Sequence, residues 1–318
     1  MEEFKWIAGN NSCHVVVRYS RLMKKNNPFH VVDVFAEAPY QGNQLAVVLE
    51  ADDLSSESMQ GIALEMNYSE TSFVCSDRQA DGGYETRIFT PAQELPFAGH
   101  PTLGTAWVIR NHIATDAPRT VHLNLGIGTV PVTFAASEDD GEIPWFTAPP
   151  VEFGPIIQRD QMAMALNLSS DDIDEGVPVQ QLSAGIVVNC VPLVSLAALE
   201  RAQMNLEAFA PLKQGGLQPF IHLFCTETLH QKNDLCTRFF FDAHGVREDS
   251  ATGSATACLG AYLVRYRYLS STDLSLRIEQ GHMINRPSLL LLRTREADGV
   301  LEVHVGGKVI ETMRGRLC

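Results

Sequence analysis

Apolar positions along this chain follow two periods, and the switch between them marks its elements. From residue 28 onward, short runs rich in β-branched and aromatic residues recur: FHVVDVF (29–35), LAVVL (45–49), TSFVC (71–75) and YETRIFT (84–90). Runs of this kind, bounded by turn formers such as APYQGNQ at 38–44, predict strands. SSESMQGIALEMN (55–67) instead sets Met59, Ile62, Ala63 and Met66 at i, i+3, i+4 and i+7 behind serine caps, which predicts an amphipathic helix. Glu70 falls in the joint between that helix and the next strand.

Two segments break the alternation. In PFAGHPTLGTAWVI (96–109), proline is expected at the first helical position and His100 at the cap, while Leu103, Ala106, Trp107, Val108 and Ile109 cover most of the circumference. Such a helix is buried on all sides, and Gly104 lets a neighbour approach it closely. EDSATGSATACLGAYLV (248–264) behaves alike, with Ala255, Ala257, Cys258, Leu259, Ala261, Tyr262, Leu263 and Val264 leaving no polar face and Thr252 and Ser254 as caps. Strand-like runs surround both: TVHLNL and GTVPVTF follow the first, VVNCVPLV, PFIHLFC and CTRFFFD precede the second, and LSLRI, SLLLLRT and LEVHV follow it. The pattern predicts two halves, each a core helix wrapped by sheet, with a proline-rich linker in IPWFTAPPVEFGPI (143–156). Both halves also run from an arginine-headed strand (Arg87, Arg238) through a polar loop to a glycine and a buried small-residue helix, as an internal duplication would leave them. The expected division is an N-terminal extension at 1–27, in which HVVVRY (14–19) reads either as an extra strand or as unpatterned, a first domain at 28–148, a second at 149–300, and a C-terminal strand region at 301–318 returning to the first.

Composition narrows the function classes. With 38 acidic against 24 basic residues the net charge is −14, and the densest basic run is only MKKNN at 23–27, so neither nucleic acid nor an anionic membrane is an expected partner. Seven scattered cysteines without a C-x-x-C pair read as reduced thiols, and no apolar run approaches the roughly 18 residues of a membrane span. A cytoplasmic protein is expected. The ten histidines show no ligand-like spacing, and no G-x-G-x-x-G, Walker or H-E-x-x-H motif is present, so neither a metal nor a cofactor is expected. Ser254, His100 and Asp249 carry the letters of a hydrolase triad without the G-x-S-x-G elbow.

The helix heads suggest chemistry. Unpaired N–H groups and the dipole at a helix start make an anion site, so facing starts at Gly99/His100 and Gly253/Ser254 would hold a small carboxylate despite the acidic surroundings; alternatively the glycines only permit close packing. His100 near a positive dipole end is expected neutral, as a donor or proton shuttle or as a plain cap. Glu70 is either a half-buried general base or a solvated turn residue.

The blocks VDVFAEAPYQGNQLAVVLEADDL, MQGIALEMNYSETSFV, TRIFTPAQELPFAGHPTLGTA and REDSATGSATACLGAYLV resemble the PhzF isomerase family, over residues 29–315. The resemblance implies an α+β fold similar to diaminopimelate epimerase: two pseudo-symmetric domains, each a strand-built barrel around a central buried helix, with the site between them. It also implies a cofactor-free isomerase, usually a homodimer, that moves a proton on a small cyclic carboxylate. Glu70 matches the family's proton-transferring glutamate, His100 and Asp249 match its assisting residues, and Gly99, Gly253, Ser254 and Asn43 match substrate-binding positions. Related epimerases place a cysteine on each side; here those places hold His100 and Ser254, which argues against a two-thiol racemase. Gln44 and Ser250 stand where the family usually has proline; the first is expected to touch only a turn, the second to affect Asp249. The reading from another class is a non-catalytic small-ligand or protein-interaction module on the same fold.

Overall fold

Each β-branched run named above from residue 28 onward forms a strand in the computed structural model, which describes residues 26–76, 79, 82–137, 141–243, 246–297 and 300–318. The expected extension, apart from residues 26 and 27, and its HVVVRY run lie outside the described residues. In the first half, β1 (Pro28–Val34) and β2 (Asn43–Val48) lead through α1 (Ser56–Met66) to β3 (Glu70–Val74), β4 (Gly83–Phe89) and the short β5 (Glu94–Leu95). The core helix α2 (Gly99–Val108) follows, then β6 (Thr120–Leu125), β7 (Gly128–Ser137) and β8 (Gly141–Thr147). The second half runs β9 (Glu152–Ile156), α3 (Arg159–Ala165), β10 (Gln180–Ser183), β11 (Val187–Pro192), α4 (Leu196–Arg201), α5 (Leu206–Gln214) and β12 (Phe220–Cys225). It continues with β13 (Leu235–Ala243), β14 (Val246–Asp249), the second core helix α6 (Gly253–Arg265), β15 (Ser275–Gln280), β16 (Ser288–Ala297) and β17 (Val300–Gly306). The last strand, β18 (Val309–Arg316), pairs with β1.

Strand order repeats between the halves. One reads β18-β1-β2-β3-β4-β6-β7-β8 and the other β9-β10-β11-β12-β13-β15-β16-β17. Step for step, the pairings are antiparallel, antiparallel, parallel, antiparallel, parallel, antiparallel and antiparallel in both. Helices sit at the parallel steps because only a long crossover can return the chain in the same direction. Antiparallel pairing of β8 with β17 joins the halves at equivalent strands. The repeat reaches individual side chains: Arg87 grips Glu94 through two bonds of 2.7 and 2.6 Å and lies over Phe89, while Arg238 grips Glu248 at 2.9 and 2.8 Å and lies over Phe240. The fold is therefore α+β, two pseudo-symmetric strand-built barrels each wrapped around one core helix.

Local details show what sets each element. Ser55 caps α1 by accepting from the Ser58 amide, and Asn67 ends it in the left-handed region. α2 is enclosed as its sequence predicts, and Gly104 is required there, since an added Cβ would lie 2.6 Å from Leu45 and 2.9 Å from Val34. The helix begins earlier than expected: Ala98 is the cap and Gly99 opens the first turn, so His100 and Pro101 lie inside it. Thr252 does cap α6, but its hydroxyl is turned to Asp249, and Ser254 is the second helical residue. Beyond Val108 the helix loosens into a π-helical turn, Ile109–Ile113. The segment expected as a linker holds the end of β8 and all of β9, with residues 148–151, including Pro149 and Pro150, between; Pro155 is tolerated because β9 is an edge strand, paired among the described residues only to β10.

Candidate active site

α2 and α6 start at the same point in space. A Cβ on Gly99 would come within 3.0 Å of the Ser254 amide nitrogen and 3.1 Å of Gly253 Cα, so the two helix mouths meet head to head. They open onto a cavity of about 350 Å³ lined by Glu70, Gly99, His100, Asp249, Gly253 and Ser254, with Phe97, Phe220, Phe239 and Phe241 forming an aromatic wall. Free N–H groups of both first turns surround this space.

Glu70 is the first residue of β3, with 14 % of its side chain exposed. Its Oε2 lies 3.4 Å from His100 Nε2, and neither atom has any other partner among the described residues. Burial, and then the nearby Asp249 charge, push the Glu70 carboxyl up to about 8. Burial takes His100 down to about 3, against the opposing effect of a bond to the Gln44 carbonyl. The tautomer follows from counting protons. Asn43 Nδ2 is 3.4 Å from His100 Nδ1, but its two protons already go to Asp249 Oδ1 at 2.8 Å and the Ala251 carbonyl at 2.9 Å. Asn43 therefore has no proton left for Nδ1, and the tautomer with its hydrogen on Nδ1, toward the Gln44 backbone, leaves the Nε2 lone pair aimed at Glu70. At neutral pH the pair is a carboxylic acid facing a neutral imidazole, and burial keeps the imidazole neutral.

Asp249 ends β14. Its Oδ1 accepts from Asn43 and, at 3.3 Å, from Ser69, and its Oδ2 accepts from Thr252 at 2.6 Å. Burial raises its carboxyl to about 6, with these hydrogen bonds holding the rise in check. Gln280 secures the loop behind it, donating to the Asp249 carbonyl at 3.0 Å and the Thr252 hydroxyl at 3.1 Å. Asn43, matched to a substrate-binding position, instead stands behind Asp249: it is buried and both its amide protons are taken, so it orients the carboxylate. The turn preceding it is clamped by Arg286, which reaches the carbonyls of Tyr40, Gln41 and Gly42 and pairs with buried Asp33 at 2.9 Å. Gln44 lies in β2 and not in a turn, and its backbone carbonyl opposes the downward shift that burial imposes on His100. Proline would supply the same carbonyl.

Strand register assigns repeat-equivalent pairs. Arg87 sits opposite Phe73 and Arg238 opposite Leu223, so Glu70 corresponds to Phe220, Thr90 to Phe241, and Leu95 to Asp249; His100 corresponds to Ser254 as second residue of its helix. Every member of these pairs lines the cavity. The positions equivalent to the Glu70–His100 pair hold a phenyl ring and a hydroxyl, so the contact of carboxyl with imidazole occurs in one half only. Phe220 and Phe241 stack at 4.8 Å and 17°, giving the site a flat apolar surface.

Sequence reasoning missed Ser69, Gln280 and the aromatic wall. The period-two alternation of RFFFD puts Phe239 and Phe241 on one face and could have pointed to it; nothing local points to Gln280, 31 positions from its partner.

Duplicated barrels, each around one core helix, with a cavity between them, make up the diaminopimelate epimerase-like fold. The chain is a member of the phenazine biosynthesis-like protein family, PhzC-PhzF, which matches residues 32–315. It is 35% identical to the trans-2,3-dihydro-3-hydroxyanthranilate isomerase of Pseudomonas chlororaphis, over 90% of this chain and 98% of that one. The phenazine biosynthesis protein of the PhzF family from Bacillus anthracis has the same architecture, with a TM-score of 0.85 at 27% identity, covering 92% of this chain and 99% of that one. A hydroxyproline epimerase from Agrobacterium vitis, at 11% identity and a TM-score of 0.60 over 92% and 91%, shares the fold. The protein is an isomerase acting on a small molecule, and the reading as a non-catalytic module is set aside.

Proposed function

We propose that this isomerase moves one proton between carbons of a flat, cyclic, carboxylate-bearing substrate, with Glu70 as base and then acid. The observation that carries this reading is the Glu70–His100 contact of 3.4 Å, in which both facing atoms are otherwise unpartnered. The ionised fraction of Glu70, about a tenth at pH 7 for a group titrating near 8, takes the proton from carbon. Charge developing on the substrate is met by the amides at Gly99 and Gly253. Protonated Glu70 then donates toward His100 Nε2, and this acid, in exchange with solvent, returns a proton to a different carbon. Because Phe220 and Ser254 stand at the equivalent positions, removal and return use the same face, unlike an inversion that needs a base on each side.

Substrate class follows from the lining. The helix mouths take a carboxylate, Asp249 takes an ammonium or hydroxyl group, and the Phe220–Phe241 surface takes a planar ring. The trans-2,3-dihydro-3-hydroxyanthranilate named for three relatives carries a carboxylate, an amine and a hydroxyl on a six-membered diene ring, and compounds of that kind are the substrates we assign. Every step uses side chains and amides of the chain itself, so no cofactor is invoked. We further assign a cytoplasmic homodimer, on the family resemblance and on the free thiols of Cys75, Cys190, Cys225, Cys236, Cys258 and Cys318; light scattering on the purified protein tests the dimer. Incubation with candidate ring amino acids in D₂O tests the chemistry: deuterium should enter carbon positions with the wild type and not with Glu70→Gln. Saturable binding without exchange would overturn it.

A further inference from the structure

We propose that His30, His112 and Glu311 form a binding site for a divalent transition-metal ion, zinc by the nature of the donors, at the end of the first barrel remote from the cavity. The three residues come from β1, the π-helical turn after α2, and β18. His30 shares a strand face with Val32 and Val34, which pack against α2 at Gly104, so its ring points into the barrel beyond the helix end. The active-site cavity lies at the other end of α2, about 15 Å away along ten helical residues.

Two backbone irregularities converge here. The widened turn at Ile109–Ile113 swings His112 under the barrel, where its ring stacks on His30 with centroids 4.1 Å apart. On β18 the register slips between Val31 and Val32, making Thr312 the extra residue of a bulge next to Glu311. Both kinds of distortion re-aim side chains, and both recur at functional sites.

The donor geometry suits a small ion. Glu311 presents one oxygen to each ring, Oε1 to His30 Nδ1 at 2.7 Å and Oε2 to His112 Nε2 at 3.4 Å, and one ligand atom from each residue lies within 4.8 Å of the others. Tetrahedral zinc with bonds of about 2.0 Å separates its donors by about 3.3 Å, so with Oε1 as the single carboxylate ligand the His30 contact must open by roughly half an ångström while the three ligand atoms, within 4.8 Å of one another, draw together. Two imidazoles and a carboxylate leave a fourth position for water, and the His112 and Glu311 side chains, 22 % and 24 % exposed, provide an entry path. Arg314, opposite His30 in the strand register, is the cation nearby and tempers the affinity. A second cluster, His230, Glu279 and His282, lacks this readiness: the Glu279 carboxylate is already held by the amides of Leu229 and His230 and by the side chains of Asn233 and His230.

Chelator-treated full-length protein titrated with zinc chloride in a calorimeter tests the site. One equivalent should bind per chain and raise the unfolding temperature; Glu311→Gln and His112→Ala should each weaken binding about tenfold or more, and His230→Ala should not. Anomalous scattering at the zinc edge from soaked wild-type crystals should place the ion between the three side chains, which keeps the test decisive if a variant folds poorly. Absence of stoichiometric binding, equal binding by Glu311→Gln, or loss of binding with His230→Ala would overturn the proposal.

Discussion

Glu70→Gln should remove activity and make the protein more stable. Glu70 is held neutral in the fold, its carboxyl raised by burial from 4.5 to about 8, so the native state resists ionisation that the unfolded chain accepts freely. Stability from this group is intact below pH 4.5 and is lost progressively as pH rises toward 8, at about 1.4 kcal/mol per unit. At pH 7 the cost is roughly 3 kcal/mol. Glutamine matches the protonated acid in shape and charge and carries no such penalty. Urea unfolding of both proteins at several pH values from 5.5 to 8.5 should show the variant's advantage growing with pH and levelling off above about 8. Activity on the substrate should fall by about 10² to 10⁴ or more, the usual effect of losing a general base. A stability difference that stays flat across this range would refute the buried-acid reading, and a fully active variant would refute the mechanism.

Further expectations rest on the same geometry. For the wild type, kcat/KM should climb with pH on a limb centred near 8, since the base must be ionised, with no second limb from His100, which burial takes to about 3; a profile flat from 6 to 9 would contradict this. Gly99→Ala puts a Cβ against backbone of the opposite helix and should cost about 1–3 kcal/mol and about a hundredfold in turnover. Gly253→Ala meets Phe146, Phe35 and Gly99 at 3.4–3.5 Å and should leave the unfolding midpoint nearly unchanged; equal losses from both glycines would undo the head-to-head packing. Arg286→Ala strands buried Asp33 and releases the turn behind Asn43, so chemical denaturation should register a loss of about 3–5 kcal/mol.

The site was legible in part because its key groups sit where local pattern changes. Gly99 and Gly253 stand where alternation gives way to all-apolar helix, and Glu70 where helix gives way to strand, so their special positions show in neighbouring residues. Boundaries were less legible: the start at Gly99, instead of Pro101, depends on packing against the other helix mouth, which no local window contains. The same holds for Gln280 behind Asp249, Arg286 behind Asn43, and Phe220 opposite Glu70. His30, His112 and Glu311 are an extreme case, since His30 and Glu311 are 281 positions apart and meet only because the last strand returns to the first.

That return has a consequence for how the protein is made. On the ribosome, every stave of the first barrel except β18 emerges before the second barrel has been started, yet β1 keeps an unpaired edge until residues 309–316 arrive. The first barrel cannot close co-translationally as a finished unit; it must wait, one edge open, for the rest of the polypeptide. Trimming the chain before residue 309 would therefore damage the half that is synthesised first.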